Sequence, residues 1–109
     1  MQQCIYKILN TKNNKFYIGS TTNFIKRKSS HLCQLRINNH RNKFIQKDYN
    51  NFGEEVFIFS IVKFVKNKND LISKESDYIK KLKPGYNKLV PRKKYTQSDI
   101  NNVYMAINL

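Results

Sequence analysis

Apolar-rich runs separated by polar stretches predict three strands. Residues 4–9 and 15–20 are two such runs, and the Asn-rich segment 10–14 between them has the composition of a hairpin loop. Residues 56–65 are β-branched and aromatic almost throughout, which is typical of a strand covered on both faces. The pattern therefore predicts an N-terminal β-hairpin and a later central strand.

The register of the predicted hairpin decides where two tyrosines lie. If Leu9 pairs with Asn14, Tyr6 falls directly opposite Tyr17 and both rings share one face of the sheet. The opposite face then carries the aliphatic and aromatic residues Ile5, Leu9, Phe16 and Ile18. A slip of one residue would separate the two tyrosines.

Two helices are expected between the hairpin and the third strand. Asn23 is a suitable N-cap, and the apolar stripe that follows places Arg27 and His31 one helical turn apart. Its members are Phe24, Arg27 or Lys28, His31, Leu32 and Leu35. A second helix covers roughly 41–51 and ends before Gly53; its predicted inner side carries Phe44, Ile45 and Tyr49.

A third helix is predicted from Asp70, its expected cap, to about Leu82, where Pro84 prevents continuation. Glu75 lies within its apolar stripe, which comprises Leu71, Ile72, Tyr78, Ile79 and Leu82. A carboxylate on an apolar stripe is costly unless a cation or a hydrogen-bond donor meets it. Glu75 is therefore either a salt-bridge partner of a lysine or a metal ligand.

The charge of the chain indicates a polyanionic partner. Its 109 residues fit one domain, and 21 Lys and Arg against 7 Asp and Glu give a net charge of +14. Nucleic acid fits this charge, with binding that weakens as salt rises. No apolar run approaches the roughly 20 residues of a membrane span, and the start lacks a signal-peptide pattern. We therefore expect an intracellular protein that binds nucleic acid and no membrane.

The two cysteines and the general composition add little chemistry. Cys4 and Cys33 lie far apart without a CxxC pair, so we expect both to be reduced and structural. The excess of Asn, Lys and Ile indicates an AT-rich coding sequence and hence a viral, organellar or similar genome. No pattern points to a small-molecule cofactor or to a particular oligomeric state.

Taken singly, four further residues have ordinary structural explanations. Tyr6 and Tyr17 can be strand aromatics that pack together. Arg27 and His31 can lie over an aromatic ring or extend from the edge of the core. The alternative for Arg27 is catalytic, because the planar guanidinium matches phosphate oxygens and can neutralise developing charge.

In order along the chain, these residues resemble the GIY-YIG endonuclease family. The resemblance rests on Cys4-Ile5-Tyr6, Tyr17-Ile18-Gly19, Arg27, His31, Glu75 and Asn87, and it extends over about residues 3–90. It also includes His40, Phe44-Ile45-Gln46, segment 51–57 and Gly85-Tyr86-Asn87. The chain is most similar to phage-type intron-encoded homing endonucleases, whose catalytic domain precedes a separate DNA-binding region.

The resemblance implies an α/β fold of the α+β type, with a three-stranded antiparallel sheet flanked by helices. It implies a catalytic domain over residues 1–90, followed by a basic tail, linker or truncated helix over 91–109. The expected activity is hydrolysis of DNA phosphodiester bonds with one divalent ion, Mg²⁺ or Mn²⁺. Cys4 stands where the family's first motif has Gly, and we expect local crowding rather than loss of activity.

The resemblance also implies roles for individual residues. Glu75 would hold the metal ion, Arg27 would stabilise the scissile phosphate, and Tyr6 or the metal ion would activate the attacking water. Tyr17, His31 and Asn87 would complete the catalytic site. The expected substrate-binding residues are Gly19, Ser20, Lys26, Lys28 and His40. Gly19 would let the DNA backbone approach closely, and His40 would be either a solvated helix cap or a phosphate contact.

Two alternative functions would explain the net charge without catalysis. A catalytically inactive relative would keep the fold and bind nucleic acid, which the intact set Tyr6, Tyr17, Arg27 and Glu75 argues against. A basic RNA-binding structural protein would explain the charge, but it would give Glu75 no purpose.

Overall fold

In a computed structural model, which describes residues 3–88, the predicted sheet forms. Its strands are β1 (Cys4–Asn10), β2 (Phe16–Thr21) and β3 (Phe57–Phe64), all antiparallel and in the order β2-β1-β3. Four helices surround them, namely α1 (Phe24–Arg36), α2 (Lys43–Phe52), α3 (Leu71–Leu82) and α4 (Gly85–Lys88). The predicted fold class is confirmed, whereas the short helix α4 and the two 3-10 turns Glu54–Val56 and Lys68–Asp70 were not predicted.

The predicted hairpin register is wrong by two residues. Tyr6 pairs with Gly19, and Tyr17 pairs with Ile8. The shift arises in the loop. The N–H of Asn10 donates to the carbonyl oxygen of Lys15, and the carbonyl oxygen of Asn10 accepts from the N–H of Asn14, whose φ is 61°. Because the shift is even, Tyr6 and Tyr17 remain on one face.

The third strand is an edge strand rather than the predicted central one. β1 lies in the middle of the sheet, while β3 leaves Ile58 and Phe64 with 51% and 63% of their surface exposed. A run of apolar residues is therefore not sufficient to place a strand at the centre.

Side chains from both faces of the sheet form two cores. On the first face Cys4, Tyr6 and Ile8 pack with residues of the helices α1, α2 and α4, namely Leu35, Ile45 and Tyr86. On the second face Ile5 and Ile18 pack with Val65 and Leu71, at the start of α3. Each fully buried aliphatic side chain stabilises the fold by about 1.5–3 kcal/mol. The sheet is thus covered on both sides, with α3 alone among the helices on the second.

Asparagine side chains start the first two helices. Asn23 caps α1 as predicted, its Oδ1 accepting the N–H of Lys26 at 3.1 Å. Asn42 caps α2 in the same way, so this helix begins two residues later than predicted. Gly53, with a φ of 88°, ends it as expected. Phe44 is 43% exposed and does not join the core, contrary to the prediction.

The third helix follows a 3-10 turn (Lys68–Asp70) that is capped by Asn67. Asp70 therefore makes no side-chain cap, contrary to the prediction. The predicted stripe is only partly covered, because Ile72 and Leu82 are 51% and 40% exposed. Lys83 adopts the left-handed conformation directly before Pro84, which explains the predicted end of α3.

Both cysteines are free, Cys4 in the core and Cys33 on the surface. Cys4 is fully buried in the first core, and the pairing of β1 with β3 shifts register between the next two residues, Ile5 and Tyr6. No helix within residues 3–88 is both long and apolar enough to cross a membrane. The predicted tail, 91–109, lies outside the described residues.

Candidate active site

Tyr6 is the centre of a polar cluster on the first face of the sheet. Its ring is 1% exposed, and its Oη lies 2.7 Å from His31 Nε2. Arg27 Nε donates a hydrogen bond to the same oxygen at 3.3 Å. Since Arg27 and His31 are one turn apart on α1, a single helix places both side chains on the phenol.

Gly19 makes room for the Tyr6 side chain. A Cβ atom at Gly19 would lie 2.5 Å from Tyr6 Oη and 2.6 Å from Cζ, closer than such contacts allow. The space that a side chain would need at Gly19 is thus taken by Tyr6, and the approach of DNA backbone to this glycine stays a prediction. Gly19 is itself buried, and it acts on the site through Tyr6.

Tyr17 extends the aromatic part of the cluster. Its ring centroid lies 6.3 Å from that of Tyr6 and 6.0 Å from that of His31, with the latter pair edge to face. The three rings thus form one packed group. Tyr17 is only half-buried, so this group reaches the protein surface there.

Glu75 approaches the site from the second face. Ser20 Oγ donates to Glu75 Oε2 at 2.8 Å, which ties α3 to the end of β2. Because successive strand residues point to opposite faces, Gly19 faces Tyr6 while Ser20 faces Glu75. In the structure Ser20 thus contacts the carboxylate of Glu75, and its expected contact with DNA stays a prediction.

The side chain of Asn87 links α4 to β2 through two hydrogen bonds. Its Oδ1 accepts the N–H of Ile18 at 2.8 Å, and its Nδ2 donates to the carbonyl oxygen of the same residue at 3.0 Å. Asn87 is buried, with 6% of its surface exposed. Asn87 was predicted to complete the catalytic site, but it holds the strand that carries Tyr17 and Gly19.

His40 is buried behind the site, and the expected surface role is wrong. Only 3% of its surface is exposed, and its Nε2 lies 2.7 Å from His31 Nδ1 with the rings stacked. The backbone N–H of Asn42 donates to His40 Nδ1, and Gln46 Oε1 accepts the N–H of His40. Sequence reasoning missed Asn42 and Gln46. A cap could be expected of Asn42, but nothing local indicates its bond to an imidazole.

Burial dominates the electrostatics of these groups. It lowers the pKa of His31 to about 3 and that of His40 to about 4, and the charge of Arg27 acts in the same direction. Burial, with Tyr17 and more weakly Glu75, raises the pKa of Tyr6 although Arg27 opposes it. Both histidines are therefore neutral and Tyr6 is protonated at neutral pH.

The two predicted lysine contacts lie outside the buried cluster. Lys26 is exposed and lines an open cavity beside Arg27, together with Thr21, Thr22, Asn23 and Ser30. Lys28 is also exposed, with its Nζ 5.7 Å from the centre of the Phe59 ring. Arg27 therefore connects the buried phenol to a surface cavity with a second cation on its wall.

Glu75 is the predicted metal ligand, and it lies at the end of β2 beside Ser20. Within residues 3–88 no group of three or more His, Cys, Asp and Glu side chains has the spacing of a metal site. Mg²⁺ prefers hard oxygen ligands and often takes only one or two carboxylates from a protein. A half-buried carboxylate with one oxygen on a serine hydroxyl fits such an ion.

The family model described as the GIY-YIG catalytic domain matches residues 2–88. The chain belongs to the GIY-YIG family. The match includes every side chain of the cluster described above, from Tyr6 to Asn87. The sequence-based assignment to this family is therefore confirmed.

Two curated relatives of this GIY-YIG chain are named as endonucleases. Intron-associated endonuclease 1 of Enterobacteria phage T4 is 38% identical over 91 residues, which are 80% of this chain and 37% of the relative. Probable intron-encoded endonuclease 1 of Neurospora crassa is 36% identical over 69 residues, or 63% of this chain and 21% of the relative. The chain thus spans about a third and a fifth of these two proteins.

Two solved structures share the fold. The catalytic domain of the homing endonuclease I-TevI superposes with a TM-score of 0.69 at 35% identity, covering 74% of this chain and 88% of that domain. A mutant of the catalytic domain of intron endonuclease I-TevI gives 0.70 at 36% identity, covering 76% and 86%. The sheet and its helices are therefore those of a GIY-YIG catalytic domain.

Proposed function

We propose that this domain is a DNA endonuclease that hydrolyses phosphodiester bonds with one divalent metal ion, Mg²⁺ or Mn²⁺. The observation that carries the proposal is that the end of β2 lies between two groups of side chains. The Tyr6 hydroxyl, which contacts Arg27 and His31, packs against Gly19, while Glu75 accepts a hydrogen bond from the neighbouring Ser20. A net charge of +14 favours a polyanionic substrate. The names of the relatives favour DNA cleavage over other reactions of phosphate esters.

Arg27 is the group that stabilises the phosphate. Its bond to Tyr6 uses Nε, and the two terminal nitrogens of the guanidinium match the spacing of two phosphate oxygens. Since Arg27 lines the surface cavity, a phosphate there would meet Arg27 and Lys26 together. Positive charge directed at the developing negative charge lowers the barrier to hydrolysis.

Glu75 is the residue that would hold the metal ion. When bound, the ion supplies Lewis-acid activation and neutralises charge on the phosphate. The hydrogen bond from Ser20 occupies part of one carboxylate oxygen and orients the group toward the end of β2. Glu75 and Ser20 thus act as a pair, with the serine in a positioning role.

Tyr6 is the group that orients the attacking water. Burial raises the pKa of its hydroxyl, so the phenol alone is a poor base at neutral pH. Proton removal by Tyr6 therefore requires more positive charge than Arg27 supplies. Tyr17 and His31 hold the phenol by ring packing and hydrogen bonding.

For the whole protein, we propose a homing-type enzyme in which this domain makes the cut. The chain covers 37% and 21% of its two curated relatives, which leaves most of their length outside the match. A separate DNA-binding region in the remaining length would supply the choice of target. The alternative is an inactive domain that keeps the fold and binds nucleic acid.

Cleavage of supercoiled plasmid tests the proposal. We expect nicked or linear DNA with Mg²⁺ or Mn²⁺ and none with an excess of chelator. A parallel gel-shift assay measures DNA binding without cleavage. Binding without cleavage under all metal conditions would favour the inactive alternative, and selective binding of RNA without cleavage of DNA would contradict the proposed DNA endonuclease.

A further inference from the structure

A line of hydrogen bonds runs from the backbone at the start of α2 to the hydroxyl of Tyr6. The N–H of Asn42 donates to His40 Nδ1 at 3.0 Å, His40 Nε2 lies 2.7 Å from His31 Nδ1, and His31 Nε2 lies 2.7 Å from Tyr6 Oη. Each ring nitrogen of His31 and His40 therefore takes part in a hydrogen bond. All members of the line are buried, since His31 and His40 are 2% and 3% exposed.

The direction of this line follows from the backbone amide. An amide N–H can only donate, so His40 Nδ1 accepts and carries no proton. A neutral imidazole has one proton, which therefore lies on His40 Nε2 and points at His31. Burial, Arg27 and the cations Arg41 and Lys43 keep the pKa of His40 well below its usual value.

The position of the proton on His31 follows from that on His40. His31 Nδ1 accepts from His40, so the proton of the neutral His31 lies on Nε2 and is donated to Tyr6 Oη. Arg27 Nε donates to the same oxygen. The phenol oxygen of Tyr6 then accepts hydrogen bonds from two N–H groups, and its own hydrogen must point away from both nitrogens.

We propose that the backbone N–H of Asn42 fixes the direction of the His40–His31–Tyr6 line, so that the Tyr6 hydroxyl hydrogen is turned toward the substrate side. His40 is thus a positioning residue. Without the Asn42 N–H, His40 could carry its proton on Nδ1, and each bond in the line could reverse. His31 would then accept the Tyr6 hydrogen, and the hydroxyl would be turned inward.

Only the expected effect on cleavage rests on the proposed function of Tyr6. The bond direction itself is a property of the folded protein and has its own measurement. A protein with the stated bond direction but no nuclease activity would contradict the proposed function alone. An active nuclease with the opposite direction would contradict the inference alone.

Nuclear magnetic resonance of the full chain with isotope-labelled histidine measures the direction. At neutral pH we expect both rings to carry the proton on Nε2, with scalar coupling from the His40 Nε2 proton across the hydrogen bond to His31 Nδ1. A proton on Nδ1 of either ring, or a doubly protonated ring, would overturn the inference. This measurement needs no substitution.

Two substitutions at one position isolate the backbone donor. Asn42→Ala and Asn42→Pro both remove the side-chain cap of α2, but only Pro also removes the N–H. The φ of −85° at Asn42 is close to the proline value. We expect Asn42→Ala to keep the Nε2 proton on His31, and Asn42→Pro to give mixed tautomers with kcat about tenfold lower and KM unchanged.

Identical His31 tautomers and equal kcat in the two variants would contradict the inference. If Asn42→Pro does not fold, His40→Phe serves instead, because it keeps a stacked ring and loses the donor to His31. We expect the Nδ1 form of His31 to appear in that variant. A fully retained Nε2 form would again contradict the inference.

Discussion

Gly19 is the residue on which the position of Tyr6 depends most directly. In Gly19→Ala the new Cβ would lie 2.5 Å from Tyr6 Oη, so the phenol must leave the bond to His31 or the strands must separate. We expect a loss of about 1–3 kcal/mol in the free energy of unfolding, as for other overpacked sites. Cleavage should fall more than stability alone explains, as measured by thermal melting and a plasmid assay.

Gly85→Ala is the matched control for that substitution. A Cβ at Gly85 would lie 3.3 Å from the flexible side chain of Lys15, which can move. We expect an unchanged melt and unchanged cleavage. If Gly19→Ala behaves like Gly85→Ala, the packing of Tyr6 against β2 is not what positions the phenol.

Arg27→Lys tests the phosphate-binding role at the same scale. Lysine keeps the charge but presents a single point donor, and it also loses the Nε bond to Tyr6. Cleavage should fall by about 10²-fold or more, with the fold retained, since one well-placed donor is worth that much in catalysis. Arg41→Lys, at an exposed position, should cleave like the parent. Parental activity in Arg27→Lys would reassign Arg27 to packing.

Residue types in order along the chain were sufficient to name the main members of the site. Tyr6, Arg27 and His31 do meet, because spacing on α1 fixes their relation. His40 was misjudged because a polar residue before a helix looks solvated in sequence. Its burial comes from the packing of α2 against α1, which no local pattern encodes.

At the scale of elements, Asn87 joins α4 to β2. In Asn87→Ala the N–H and the carbonyl group of Ile18 lose their partners, which costs about 1–3 kcal/mol for a buried group left unsatisfied. We expect the melting temperature to fall by about 4–8 °C per kcal/mol for a domain of this size. Asn51→Ala, on the exposed side of α2, should not lower it. Equal melting temperatures for the two variants would show that the hydrogen bonds of Asn87 to Ile18 do not stabilise the fold.

Periodicity predicted the elements better than their arrangement. All three strands and the helices α1 to α3 lie within a few residues of the predicted positions, since apolar spacing and caps are local signals. The place of β3 at the edge was not predictable, because apolar content does not reveal which strand has two neighbours. The hairpin register was missed because the Asn-rich loop closes at Asn10 and Lys15.

At the scale of the whole molecule, the two buried histidines predict sensitivity to acid. Unfolded histidine binds a proton near pH 6.5, whereas the folded rings of His31 and His40 do so only near 3 and 4. Between these values the unfolded chain binds more protons, so stability is fully present above about pH 6.5 and falls toward about pH 4. Each histidine contributes a slope of about 1.4 kcal/mol per pH unit.

Urea denaturation at a series of pH values measures this slope. His40→Phe should remove about half of it, because one of the two buried imidazoles is gone. A free energy of unfolding that is constant from neutral pH to about pH 5 would contradict the buried, neutral state of both rings.

The central claim is that Glu75 is the carboxylate through which a divalent ion supports DNA cleavage, and Glu75→Gln tests it most directly. Glutamine keeps the volume and can still accept from Ser20, but it loses the charge that a metal ion requires. The matched control is Asp77→Asn, an exposed acid on the same helix. In a plasmid assay with Mg²⁺, we expect no cleavage by Glu75→Gln, parental cleavage by Asp77→Asn, and parental melts and DNA binding for both. Cleavage by Glu75→Gln at the parental rate would contradict the account, as would loss of cleavage that a collapsed melt fully explains.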